Sequence, residues 1–286
     1  VGRDRLGGFR SASDRARYDA VYDEGLRALP EPAAVHDVPT AFGTVRVYRF
    51  GAGGQPLVLL PVRCGTVVGC RTAIPSLVRR HRVYAVDLLG EPGRSAQTAP
   101  IRDGEDQARW LDETLAGLGL GAAHLFGLST GGWLACNLAV RRPERVASMT
   151  LADPVATFAP LPLGVVLRAV PAGLPYVSSW ARPRFLAWIA GQDGDPAGCV
   201  EGRLISAGMQ HFRIALPRPV PFTGRRLRDL RVPALVILAG RTVVHDWRRA
   251  LARARTLPHA AVELWPETPH GVPADRAAER FLAHWS

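Results

Sequence analysis

The sequence predicts an α/β fold, a doubly wound and mainly parallel sheet carrying an inserted helical cap. Three observations lead to it. Short apolar runs alternate with helix-like stretches along most of the chain, which is the rhythm of β-α units. Most of those runs lack the polar alternation of a half-exposed strand, so they suit strands buried on both faces. One interval, 154–231, breaks the rhythm with many prolines and no clear β-α pair. At 286 residues, 47% hydrophobic and 21% charged, the chain can bury one sizeable core and carry such an insertion.

In chain order, residues 14–29 place Ala16, Ala20, Val21, Tyr22 and Leu26 at helical spacing, with Asp14 as the candidate cap and Pro30 as the stop. Residues 35–50 read as two short strands turning at Phe42-Gly43. Strand-like runs follow at 56–60, 83–87, 124–128, 146–152, 234–240 and 261–265, separated by helical patterns at 72–80, 105–119, 132–141, 246–257 and 274–285. Within the odd interval, Pro160, Pro162, Pro171 and Pro175 favour short segments with turns over one long helix. The expected division is therefore a core over 1–153 and 232–286, with a helical cap over 154–231.

Composition excludes several functions. The net charge is +11, and all 36 basic residues are arginine. They are spread from Arg3 to Arg280, often beside an acid, whereas a nucleic-acid binder gathers them on one face or in one tail. Cys64, Cys70, Cys136 and Cys199 form no CxxC pair and stand at no zinc-finger spacing, so neither a metal site nor a disulfide framework is indicated. The segment 127–132 lacks the Lys-Ser/Thr ending of a phosphate-binding loop, and no G-x-G-x-x-G follows the 56–60 strand, so no nucleotide cofactor is expected. No signal-peptide run opens the sequence and no apolar stretch is long enough to span a bilayer. The expectation is a cytoplasmic monomer or homodimer that binds a small molecule and needs no cofactor.

Gly127-Leu128-Ser129-Thr130-Gly131 matches G-x-S-x-G, and it sits between the 124–128 strand and the helix that follows. That context holds a serine on a sharp strand-to-helix bend, with its hydroxyl projecting beyond the carboxyl end of the sheet. Glycines flank it because the bend leaves no room for a Cβ. Three further segments accompany the motif: Asp87-Leu-Leu-Gly-Glu-Pro-Gly-Arg-Ser95, Arg142-Pro-Glu-Arg-Val146 and Pro269-His270-Gly271.

On these motifs the chain resembles the α/β-hydrolase family from about residue 35 to residue 285. The 87–95 segment is similar to the family's D-x-x-G-x-G-x-S loop with one residue extra, and His270 stands at the family's histidine position after the last strand. The resemblance implies that Ser129 is a nucleophile and His270 the base that takes its proton, in the chain order serine, acid, histidine. For the acid two candidates stand, and a site without an acid is the third reading. Asp153 ends the 146–152 strand and is preferred; Asp246 is the alternative, with an N-cap as its other role. The family's usual acid position after the 234–240 strand is taken by Val243.

The oxyanion loop departs from the family pattern. Where His-Gly is usual, this chain has Pro61-Val62-Arg63-Cys64-Gly65. The resemblance assigns the two oxyanion donors to the backbone N–H groups of Thr130 and Arg63. The Arg63 side chain is expected at the pocket mouth, favouring a carboxylate-bearing substrate, with Leu128, Trp133 and Phe158 completing the substrate pocket. The implied activity is hydrolysis of a small to medium hydrophobic ester, thioester or lactone through an acyl-enzyme. Two other readings stay open at this point: a specialised-metabolite enzyme of the same fold performing cyclisation, C–C cleavage or elimination, and a non-catalytic binding protein.

Overall fold

A computed structural model describes residues 5–173, 178–191 and 198–285. The chain opens with a two-residue strand β1 (Gly8–Phe9) and helix α1 (Ala12–Arg27). Strands β2 (Ala34–Thr40) and β3 (Gly43–Phe50) form an antiparallel hairpin. Next come β4 (Gln55–Leu60), a 3-10 turn at Val67–Cys70, the short α2 (Ile74–Leu77), β5 (His81–Val86), β6 (Ala96–Gln97) and α3 (Gly104–Gly117). Then β7 (Ala123–Leu128) leads directly into α4 (Thr130–Arg141), followed by β8 (Val146–Ala152). The 154–231 interval holds α5 (Leu163–Gly173), α6 (Ser178–Ala190), α7 (Val200–His211), β9 (Phe212–Arg213) and α8 (Gly224–Asp229). The chain returns with β10 (Ala234–Ala239), α9 (Trp247–Ala254), β11 (Ala260–Trp265) and α10 (Ala274–His284).

The main sheet has the order β11-β10-β8-β7-β4-β5-β3-β2, with β6 beside β3. From β11 through to β5 every pairing is parallel, while β2, β3 and β6 pair antiparallel. This is the α/β fold with a mainly parallel sheet that the strand pattern anticipates. Along β4, Leu57 and Leu59 pack into the core on one face of the sheet, with Phe281 of α10. Val58 and Leu60 pack into the core on the other, with Trp110 and Leu138. Both sets are shut off from solvent, which is why these runs show no polar alternation. β4 is flanked by β5 on one side and β7 on the other. The carboxyl ends of β4 and β7 therefore border a topological switch point, where a crevice opens in such sheets.

Several local expectations need correction. Helix α1 is capped by Ser11, whose Oγ accepts the Asp14 N–H at 3.1 Å; Asp14 instead faces His211 of α7, Oδ1 to Nδ1 at 2.5 Å. The helix expected over 72–80 shrinks to α2, because Pro75 is tolerated only in a first turn and Arg80 N–H closes a tighter turn on Leu77. The short segments expected of the 154–231 interval are present as α5 to α8, although Pro171 lies inside α5 and Pro183 inside α6; Pro175 falls outside the described residues. The interval also contributes a strand: β9 pairs with β1, Gly8 opposite Arg213 and Phe9 opposite Phe212. Arg203 of α7 meets Glu24 of α1, and Arg71 meets Glu201, so the first residues of the chain are fastened to the odd interval. Among the described residues, no helix is long and apolar enough to cross a membrane.

Candidate active site

Ser129 sits between β7 and α4 with φ 50° and ψ −109°, a conformation that strains any residue with a Cβ. Its neighbours explain how the bend is held. A Cβ on Gly127 would lie 2.4 Å from the Gly131 carbonyl oxygen, and one on Gly131 would lie 2.0 Å from that of Leu60. Strand β4 thus presses against the start of α4, and only glycine permits it. The Ser129 N–H donates to the Ala152 carbonyl at 3.0 Å, tying the bend to the end of β8. Its side chain makes no N-cap hydrogen bond and is turned to His270 instead.

The Ser129 Oγ lies 2.9 Å from His270 Nε2, and His270 Nδ1 lies 2.6 Å from Asp153 Oδ2. Asp153 is fully buried at the end of β8 with φ 40°. Its Oδ1 accepts the Ala239 N–H at 3.0 Å, and its Oδ2 accepts the Thr242 hydroxyl at 2.6 Å. Burial alone would raise this carboxyl, but the adjoining imidazoles of His245 and His270 overcome it and hold Asp153 well below the usual carboxylate range. An ionised Asp153 can only accept, so His270 carries its proton on Nδ1 and presents a bare Nε2 to the serine hydroxyl. That arrangement can remove a proton from Ser129.

Asp246 is 93 positions further along and takes the capping role: its Oδ1 accepts the N–H groups of Arg248 and Arg249 at 2.9 and 3.2 Å. Two residues that sequence reasoning passed over join the acid. Thr242 holds Oδ2, and His245, buried in the loop after β10, brings Nε2 to 3.2 Å from Oδ1. Neither ring nitrogen of His245 has a well-aligned hydrogen-bond partner. The signal was a polar run, Arg241-Thr242, and His245 close behind an entirely apolar strand end.

The opposite side of the bend is formed by the 61–65 loop and the loop after β5. Thr130 opens α4, so its N–H is among those that no helical carbonyl can reach. Cys64 and Thr66 both have positive φ, 58° and 50°. The Cys64 N–H donates to Glu91 Oε2 at 2.6 Å, and the Gly65 N–H to the Val62 carbonyl at 2.9 Å. Glu91 belongs to the Asp87–Ser95 loop, in which two residues, Glu91 and Pro92, stand where the family spacing has one. Asp87 anchors that loop by accepting from Tyr22 Oη at 2.7 Å, the Arg94 N–H at 2.8 Å and the Val67 N–H at 3.1 Å. Burial nevertheless pushes its carboxyl up.

Arg63 does sit beside Thr130 and Trp133 on the wall of a cavity of about 20 Å³. Its guanidinium is half-exposed, with Nε 3.9 Å from Glu91 Oε1, so its charge is already offset by a carboxylate. This counts against the expected preference for an acidic substrate. Trp133 reaches across to the 154–231 interval, donating from Nε1 to the Val220 carbonyl at 3.0 Å and stacking on Phe222. Leu128 and Phe158, expected at the pocket, pack in the two cores instead and are not on this cavity's wall. Among the described residues, no group of three or more His, Cys, Asp or Glu side chains is placed to hold a metal ion. Three of the four cysteines are buried, and burial pushes the Cys70 and Cys136 thiols up to about 12.

Residues 55–197 match the family described as alpha/beta hydrolase fold. The chain is 30% identical over 249 residues to the "Uncharacterized carboxylesterase nap" of Bacillus subtilis (strain 168), covering 83% of this chain and 80% of that protein. It is 27% identical over 257 residues to "Carboxylesterase YbfK" of the same organism, covering 87% and 85%. The crystal structure of naproxen esterase (carboxylesterase NP) from Bacillus subtilis superposes with a TM-score of 0.88 at 27% identity, covering 97% of this chain and all of that one.

Proposed function

The chain belongs to the α/β-hydrolase fold family and is a distant, carboxylesterase-like homologue of the Bacillus esterases, and from that premise we propose that it hydrolyses small to medium hydrophobic carboxylic esters, thioesters or lactones through an acyl-enzyme on Ser129. The observation that carries this reading is the hydrogen-bonded line Ser129 Oγ, His270, Asp153, at 2.9 and 2.6 Å. A serine hydroxyl alone is too weak a nucleophile at neutral pH. In this reading His270 Nε2 takes its proton as Oγ attacks the carbonyl, then gives it to the departing alcohol or thiol. A water activated by the same nitrogen later releases the acid. Asp153 stays ionised throughout and stabilises the imidazolium.

The developing oxyanion would be received by the backbone N–H groups of Thr130 and Arg63. The 61–65 loop serves this purpose in altered form: Val62 replaces the family's glycine and Pro61 supplies no N–H. The hydrogen bond from the Cys64 N–H to Glu91 would hold the loop in place of those missing features. Residues 154–231 would act as the cap that shapes the apolar pocket, with Trp133 fastening it to α4. The direct test combines a fluorophosphonate probe with steady-state hydrolysis of p-nitrophenyl butyrate. Wild-type protein is expected to be labelled and active. Ser129→Ala is expected to lose labelling and about 10⁶-fold of turnover while remaining folded. A folded wild type that is neither labelled nor active would overturn the reading and favour a binding protein; labelling without ester turnover would favour different chemistry on the same serine.

A further inference from the structure

We propose that the cavity beside Thr130 is a specificity subsite that accepts a neutral hydrogen-bond donor, a hydroxyl group of the ester, and that Glu91 is its specificity-determining residue. The inference rests on the esterase reading above and adds to it the class of substrate preferred.

Three observations lead there. Glu91 is 2% exposed, yet only one of its oxygens is used: Oε2 accepts the Cys64 N–H at 2.6 Å, while Oε1 has no hydrogen-bond partner. An unsatisfied buried carboxylate oxygen is costly, and the cost is recovered when a donor reaches it. Second, Glu91 shares the cavity wall with Thr130, the residue next to the nucleophile, and with apolar Leu88, Trp133 and Leu216. A substrate's terminal hydroxyl entering past those side chains would meet a polar end at Glu91. Third, the cavity's size and charge select the donor. About 20 Å³ of room is enough for one water-sized group, the size of a hydroxyl. The Arg63 guanidinium, 3.9 Å from Oε1, already balances the carboxylate, so an ammonium would meet a like charge and a carboxylate would meet Glu91 itself. Gln107, on the same wall, spends its Oε1 on the Trp110 indole N–H at 2.8 Å and leaves Glu91 as the acceptor.

The test uses matched esters in which a hydroxyl replaces a methyl: ethylene glycol monobutyrate against propyl butyrate for the alcohol side, and ethyl ω-hydroxyhexanoate against ethyl heptanoate for the acyl side. Acid release gives kcat/KM for each on the wild type and on Glu91→Gln. Wild type is expected to prefer the hydroxyl member of one series by about tenfold, the advantage of a charge-assisted hydrogen bond. Glu91→Gln is expected to bring that ratio to about twofold. Both members are assayed on one preparation, so a loss of folded enzyme cancels in the ratio. No wild-type preference in either series, or an undiminished preference in Glu91→Gln, overturns the subsite; so does a greater preference for an ammonium-bearing or carboxylate-bearing analogue. If the variant fails to fold, the wild-type ratios alone still decide. Turnover of the methyl esters that depends on Ser129, without hydroxyl discrimination, sinks the subsite and leaves the esterase reading standing. Absence of turnover and of fluorophosphonate labelling sinks the esterase reading first.

Discussion

Asp153 and Glu91 are both carboxylates buried at the carboxyl ends of the sheet strands, and the protein treats them in opposite ways. Asp153 receives the Ala239 N–H, the Thr242 hydroxyl and the His270 ring, with His245 against its remaining side. Glu91 receives the Cys64 N–H and nothing else, with Arg63 at the edge of contact. A carboxylate whose lone pairs are all engaged is locked in place and can orient a neighbour; one with a free oxygen keeps capacity for a partner that arrives later. The difference separates the part of the site that should be insensitive to substrate identity from the part that should read it.

The comparison can be broken most decisively on the Asp153 side. Asp153→Asn is expected to lower kcat by about 10⁴-fold on every ester, since an amide donating to His270 Nδ1 forces the wrong tautomer. A much smaller loss, or one that varies between substrates, would mean that the acid lies elsewhere. Arg63→Met is expected to cost roughly tenfold, because it leaves Glu91 buried without its balancing charge. The loss should be equal for butyrate and hemisuccinate esters; a selective loss on the acidic ester would show that the Arg63 charge is free to bind substrate after all.

A pH series sharpens the same contrast. Because its partners hold Asp153 below the usual carboxylate value, its ionised form contributes stability that is fully present above the unfolded-state pKa of about 4. That contribution is lost only as pH falls through the lower, folded-state value. The urea midpoint of wild type should therefore exceed that of Asp153→Asn by a constant margin from pH 7 to about pH 5, with the margin shrinking in stronger acid; a margin that vanishes near neutrality would refute it. The smallest effect belongs to the other candidate acid. Asp246→Ala should cost about 1 kcal/mol of stability through the lost cap of α9, read by urea unfolding, and leave kcat unchanged.

How much of this could be read beforehand follows from what each feature depends on. Buried parallel strands and the Ser129 bend are local matters, written as uninterrupted apolar runs and as glycines at 127 and 131, and both were legible. The choice between Asp153 and Asp246 was legible only as a pair of alternatives. What separates them is a contact across 117 positions, His270 Nδ1 to Asp153 Oδ2 at 2.6 Å, while Asp246 caps α9, and no local motif carries such a contact. His245, Thr242 and Glu91 escaped because each acts on a residue dozens of positions away or more, and none completes a motif. Phe158 misled because a large aromatic just past a strand end suits a pocket wall and a core equally; packing decided for the core. The prolines of the 154–231 interval were legible as marks of short helical segments, though not as exact break points, since Pro171 and Pro183 lie within helices.

The pairing of β1 with β9 has a consequence for how the chain is made. Gly8 waits for Arg213, a partner 205 positions further on, while the hairpin of β2 and β3 closes within a few residues. At about 5–20 residues per second, roughly ten to forty seconds of synthesis separate the emergence of the two. The parallel strands from β4 to β8 can collapse on one another in that interval, and loop-closure entropy favours those shorter connections first. Helix α1 is covered in two stages as a result: Tyr22 can reach Tyr48 and Asp87 early, while Asp14 and Glu24 wait for His211 and Arg203 of α7.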